Sequence, residues 1–266
     1  MATAPQLATT IDEVIDKLKV IIENSIKTND RAGFFAALYY KVTVKVKEGA
    51  ASGQFGDGVN ICKLDVHFAN RYFYALEQWQ QGQPITNSWK VAFEATKKGS
   101  FLILQQLLLG MNAHINLDLG IATYEISNGD LDSFRTDYNN INLILSSLTY
   151  GVISQLNTLS PFLSLLGFSG RGSESMLIQF SMGNARDGSW CFAEELALQP
   201  KENYNQYIQQ RDQSIFELGE SLIKSKGFLR FGIWLIHLFE VKKAEKIIHV
   251  LYEYQKPYKK DLEADK

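Results

Sequence analysis

Phe101 to Ala122, FLILQQLLLGMNAHINLDLGIA, constrains what this chain can fold into more than any other stretch. It is apolar on nearly every side, and a helix of that kind in a soluble chain must be wrapped by other helices. Yet it carries Gln105, Asn112, His114, Asn116 and Asp118. Burying polar groups without partners is costly, so each needs a local reason. At about 100° per residue, Gln105, Asn112 and Asn116 share one face. His114 and Asp118 lie one turn apart on the opposite face. The spacing predicts a central helix with an amide ladder on one side and an imidazole–carboxylate pair on the other.

The flanking segments supply the wrapping. Thr10 with Glu13 forms a capping box for a first helix running to about Ile26. Asp30 is placed to cap a second helix, which continues through VTVKVK to Gly49 because no partner strand is in sight. A third covers Cys62–Gln81, and a fourth starts at Trp89 behind Asn87 or Ser88 and is interrupted or kinked at Lys97–Gly99. Further helices are expected at Leu131–Leu159, Glu174–Leu198, Glu202–Lys226 and Phe228–Tyr254, the last bent near Glu240. No strands, internal repeats or sustained heptads stand out. The pattern predicts an all-α, single-domain multi-helix bundle of about eight helices around a buried central helix. Residues 10–256 form that domain, between a disordered N-terminus (1–9) and a solvated tail (257–266).

Charge and cysteine use narrow the function classes. The 266 residues hold 27 Lys and Arg against 29 Asp and Glu, a formal net charge of -2. That lacks the basic footprint of a nucleic-acid binder. Cys62 and Cys191 are the only cysteines, too few for a disulfide framework, and read as reduced thiols of a cytoplasmic protein. MATAPQLATT lacks the pattern of a secretory signal. Polar residues break the longest apolar runs, so no membrane span is expected. FLRFGIWLIHLF near the C-terminus reads as a buried helix rather than a membrane contact.

His114 and Asp118, at i and i+4, have the spacing of a carboxylate-oriented imidazole or of helix-borne metal ligands. The same pair is also a common way to satisfy two core polar groups. Arg135 falls on one face of the fifth flanking helix, with Asp137 on a neighbouring face. Arg186, Trp190 and Glu194 form a row on the sixth. If these helices converge, an interhelical pocket would hold His114 as general acid/base, oriented by Asp118. Arg186 and Arg135 would then hold an anionic or carbonyl oxygen, beside a wall of Asn112 and Asn116. Tyr40, with Tyr39, Tyr72, Tyr74 and Trp79, belongs to an aromatic set that reads first as core and otherwise defines a binding cavity. The expected function is that of a non-redox enzyme (hydrolase, lyase or cyclase) acting on a small, largely apolar substrate, because no nucleotide-binding fingerprint is present. One alternative is a Zn or Fe site built from His114, Asp118 and Asp137. The other is a non-catalytic binder of an apolar ligand. No cofactor and no oligomeric state can be assigned from the residues.

Five segments carry a family resemblance: NDRAGFFAALYYKVT (29–43), LDVHFANRYFYALEQW (64–79), LLLGMNAHINLDLGIA (107–122), RTDYNNINLIL (135–145) and NARDGSWCFAEELA (184–197). Together they resemble an uncharacterised bacterial domain-of-unknown-function family, marked by an NAHIN-x-DL helix motif and an AR-x-x-x-W motif. The likeness spans residues 10 to 200. It implies a stand-alone, mostly helical protein and draws attention to His114, Asn116, Asp118, Arg135, Asp137 and Arg186. It implies no established chemistry. The His-x-x-x-Asp spacing is faintly similar to a helix motif of zinc-dependent phospholipase C enzymes, whose dense histidine complement this chain lacks.

Overall fold

The computed structural model describes residues 7–163, 182–224 and 227–253, and among them it contains eleven α-helices and no strand. The chain is all-α. In order the helices are α1 (Ile11–Thr28), α2 (Gly33–Ala51), α3 (Gly58–Gln80), α4 (Asn87–Lys97), α5 (Ile103–Ala113), α6 (Leu119–Ser127), α7 (Asp132–Leu159), α8 (Met182–Ala197), α9 (Tyr204–Ile223), α10 (Gly227–Phe239) and α11 (Ala244–Glu253). A five-residue π-helical segment, His114–Asp118, joins α5 to α6. A 3-10 turn at Lys201–Asn203 precedes α9.

The expected central helix is present as the rod α5–π–α6. Every residue of α5 except Met111 is buried, and α2, α3, α4, α8 and α9 pack around the rod. The count exceeds eight because the expected units are divided at three places. Residues 98–102 separate α4 from α5, the π segment separates α5 from α6, and the bend expected near Glu240 is a break between α10 and α11. At that break the buried Glu240 carboxylate accepts the Ile103 N–H at 3.1 Å and the Ser160 hydroxyl at 2.5 Å. It therefore caps α5 from a distance, satisfying one of the orphan N–H groups at a helix start.

Asp212 does the same for α4. Asn87 or Ser88 was expected to cap that helix, but Asp212 of α9 accepts both of their backbone N–H groups, at 2.7 and 3.0 Å, and the Ser88 hydroxyl at 2.7 Å. The first helix keeps its local cap, with Thr10 Oγ1 accepting the Glu13 N–H, while Glu13 reaches back to Thr9. Leu7–Thr9 are not frayed: Ala8 is buried and exchanges two hydrogen bonds with the Asn70 side chain, at 2.8 and 2.9 Å. Residues 164–181, where the start of the helix from Glu174 was expected, lie outside the described residues.

Candidate functional site

The π segment coincides with the His114–Asp118 motif. A π turn closes an i to i+5 hydrogen bond, here from the Leu119 N–H to the His114 carbonyl, and such bulges concentrate at functional sites. The wider turn releases backbone carbonyls, and neighbouring helices take them up. Ser189 of α8 donates its hydroxyl to the Ile115 carbonyl, and Arg211 of α9 donates to the Asn116 carbonyl at 3.1 Å. Gly120 lets α8 approach closely, since a Cβ there would meet the Ser189 carbonyl at 2.8 Å.

His114 Nδ1 lies 3.3 Å from Asp118 Oδ2, and both residues are 2% exposed. Asp118 is a hub. Its Oδ1 accepts from Arg71 Nε at 3.0 Å, and its Oδ2 also accepts from the Trp89 indole at 2.8 Å. Burial opposes ionisation of Asp118, but the Arg71 guanidinium, His114 and the indole outweigh it and hold the carboxyl below its ordinary value. Burial pulls the His114 imidazole below its ordinary value against the upward pull of Asp118. A carboxylate beside a neutral imidazole fixes the tautomer: Nδ1 carries the proton and donates, and Nε2 keeps its lone pair. That Nε2 is buried and has no hydrogen-bond partner among the described residues.

An aromatic shell surrounds the imidazole. Phe68 stacks on its face, with ring centroids 3.5 Å apart and planes 8° apart. Tyr39 meets it edge-on at 4.7 Å and Phe35 at 5.5 Å, with Trp89 at 5.8 Å and Tyr72 at 6.1 Å. The i, i+4 pairs Phe35/Tyr39 on α2 and Phe68/Tyr72 on α3 build this shell, and Gly110 on α5 admits the Phe35 ring, which a Cβ would meet at 2.7 Å. Tyr72 OH and Asp65 Oδ2, also from α3, are further buried polar atoms without a hydrogen bond among the described residues. Burial pushes the Asp65 carboxyl up to about 7. Outward from the dyad, Asp118, Arg71 and Trp89 form part of the wall of a cleft of about 1130 Å³, with Val66, Tyr74, Ile85, Ile208, Glu125 and Asp212.

The residues expected at the site divide into groups. The amide ladder forms: Asn116 Nδ2 donates to Asn112 Oδ1 at 3.0 Å, and Asn112 donates to the Ile215 carbonyl of α9 at 2.8 Å. These amides fasten α9 to the rod. Arg186 is buried, but its guanidinium donates to the Tyr138 carbonyl at 2.5 Å and lies 4.4 Å over the Tyr138 ring, so it clasps α8 to α7. Arg135 is half-exposed, 4.9 Å over the Trp190 ring and 2.6 Å from Glu194, and Trp190 donates to the same Glu194 at 2.7 Å. Both arginines are thus engaged between α7 and α8, and the arginine on the dyad is Arg71. Tyr40 packs on Tyr252, not on the imidazole. The Asp137 side chain lies outside the described residues. Among the described residues no three His, Cys, Asp or Glu side chains gather in a metal-binding group, and both Asp118 oxygens already accept hydrogen bonds. The third ligand of the zinc or iron alternative, Asp137, has its side chain outside the described residues.

Arg71, Phe68 and Trp89 were missed. Their signal was partial: Arg71 lies in the turn between Phe68 and Tyr72, beside the apolar stripe Leu64, Phe68, Tyr72 and Leu76 of α3. A charge in such a place needs a partner.

The fold and site define a helical protein built around a buried, arginine-supported imidazole–carboxylate dyad in an aromatic shell. The chain belongs to the family of unknown function DUF5995, whose family model matches residues 11–225. No curated protein and no solved structure matches it.

Proposed function

We propose that this protein is a non-redox enzyme acting on a small, largely apolar substrate, with Asp118 and His114 as its acid–base pair. One observation carries the reading. Among the described residues, His114 Nε2 is a buried lone pair without a partner, and its opposite nitrogen is held by an ionised carboxylate. Leaving such an atom without a partner costs about 1–3 kcal/mol, a cost that a substrate proton donor would remove. Nε2 takes a proton from the substrate, Asp118 stabilises the imidazolium, and the proton is returned to the leaving or rearranged group. Elimination, hydrolysis or cyclisation all fit this cycle. Arg71 keeps Asp118 ionised, a different role from the substrate-oxygen anchor expected of Arg186 and Arg135. Because His114 is only 2% exposed, a ring of the aromatic shell must swing aside for substrate to enter from the cleft.

The test begins with a small-molecule library screened by thermal shift on the wild-type chain. Hits are then assayed for turnover with wild type, His114→Gln and Asp118→Asn, each shown to be folded. Turnover should fall by about 10²-fold or more in both variants, the usual scale for general acid–base catalysis. Wild-type turnover in folded Asp118→Asn would refute the reading. The aromatic shell favours a second reading, a non-catalytic binder of an apolar ligand. A hit that binds without chemical change, and binds equally well to Asp118→Asn, would support it instead.

A further inference from the structure

The C-terminal part of the chain holds an exposed apolar face that the dyad does not use. Along α10, Phe231, Trp234 and Leu238 follow i, i+3, i+7 spacing on one side and are 54–55% exposed. Phe239 continues the patch at 56%, in ring contact with Phe162 at 5.4 Å, itself 50% exposed. The opposite side of the same helix is core, with Ile233 and Ile236 buried. Five large apolar side chains displayed together exceed the scattered surface residues that need no explanation.

A basic cluster adjoins the C-terminal end of this face. Arg31 packs against Gly99, beside the exposed Lys97 and Lys98. Asn29, in the same loop as Arg31, accepts the Glu245 N–H at 3.2 Å and so holds the start of α11 against that loop; burial, then nearby cations including Arg31, lower the proton affinity of His237 and Lys242. Lys242 is tied to the end of α10 through the His237 carbonyl, and Lys243 follows it. The neighbouring acids are few: Asp30 pairs with Lys97, Glu245 with Lys243, and Glu240 is buried as the cap of α5. No helix among the described residues is long and apolar enough to cross a membrane. An aromatic and aliphatic stripe edged by cations is the pattern of an element lying in a bilayer interface. A second copy of this chain fits worse, because a two-fold interface on this face would set the basic cluster close to its own copy.

We propose that the outer face of α10 docks on an anionic lipid bilayer, with Trp234, Leu238 and Phe239 entering the headgroup–acyl boundary and the Arg31/Lys242 cluster meeting lipid phosphates. This inference does not depend on the enzymatic reading. The test is co-sedimentation of the full chain with phosphatidylcholine vesicles, with or without about one-third phosphatidylserine, an anionic lipid whose surface attracts basic segments. Binding should be about tenfold or more tighter with phosphatidylserine and should weaken at high salt. Trp234→Ser with Leu238→Ser should remove binding to both vesicle types. Lys242→Glu with Lys243→Glu should remove only the part that depends on phosphatidylserine. All four positions are exposed, and circular dichroism confirms that the variants are folded. Failure to bind either vesicle would overturn the proposal. So would equal binding by both double variants and wild type. A dimer that Trp234→Ser with Leu238→Ser converts to monomer, without vesicle binding, would assign the face to self-association instead.

Discussion

The Trp89 indole N–H donates to Asp118 Oδ2 across 2.8 Å, on the same oxygen that faces His114 Nδ1. The indole thus shares in holding the carboxylate ionised without itself titrating. Trp89→Phe keeps an aromatic ring against Phe93 and Tyr72 but removes this donor. Chemical denaturation should show a loss of about 1–3 kcal/mol. The Asp118 carboxyl should titrate higher than in wild type, followed by carboxyl carbon NMR.

Arg71 and Asp118 form a pair in which one partner is sealed and the other is 27% exposed at its side chain. The carboxyl is held below its ordinary value in the folded state. Its stabilising contribution is therefore present above the unfolded value and lost as pH falls through the folded one. Arg71→Met should cost about 3 kcal/mol at neutral pH, the low end for breaking a buried pair. The gap from wild type should narrow as acid protonates Asp118. A gap of constant size from pH 7 to pH 3, in parallel urea titrations, would mean the ion pair contributes little.

Asp65 runs the other way. Its carboxyl is raised from 3.8 to about 7 by burial, so the folded state holds the proton more tightly than the unfolded one. Stability from this source is complete below the unfolded value and is lost as pH rises toward 7. Asp65→Asn should remove that slope and leave the variant more stable than wild type at pH 8, by roughly 2–4 kcal/mol. Melting temperatures measured from pH 5 to 8 would check the sign.

Gly110 sets the position of the Phe35 ring, which in turn edges the imidazole at 5.5 Å. Gly110→Ala places a Cβ 2.7 Å from that ring. Overpacking of this kind costs about 1–3 kcal/mol. Because the displaced ring lies against His114, its side-chain resonances should move in NMR spectra of Gly110→Ala. Unchanged His114 shifts would place the relief of the clash elsewhere.

The helical class, the rod at the centre and the dyad on it were legible in the sequence. Local periodicity determines which residues share a helix face, and i, i+4 spacing survives the π turn well enough to bring His114 to Asp118. The VTVKVK run at 42–47 also forms helix, although it alternates like a strand, because it continues α2 without a pairing partner. Resemblance within residues 10–200 pointed to a family whose model covers 11–225.

Tertiary structure alone decided which side chains meet across helices. Arg71 reaches Asp118 over 47 positions of chain, while Arg186 turns to Tyr138, and helical spacing carries no information about either choice. Asp212 takes the capping role expected of Asn87 or Ser88, and Glu240 caps α5 from across the core, for the same reason: a buried carboxylate takes whatever N–H groups the packing presents to it. The π segment is held by Ser189 and Arg211, which donate to the Ile115 and Asn116 carbonyls, and both lie on helices far along the chain. Sequence determined the periodic faces, because these depend on neighbours within a turn. Packing decided the charges' partners, because an ion or an unpaired polar group in the core is stabilised only by what lies next to it in space.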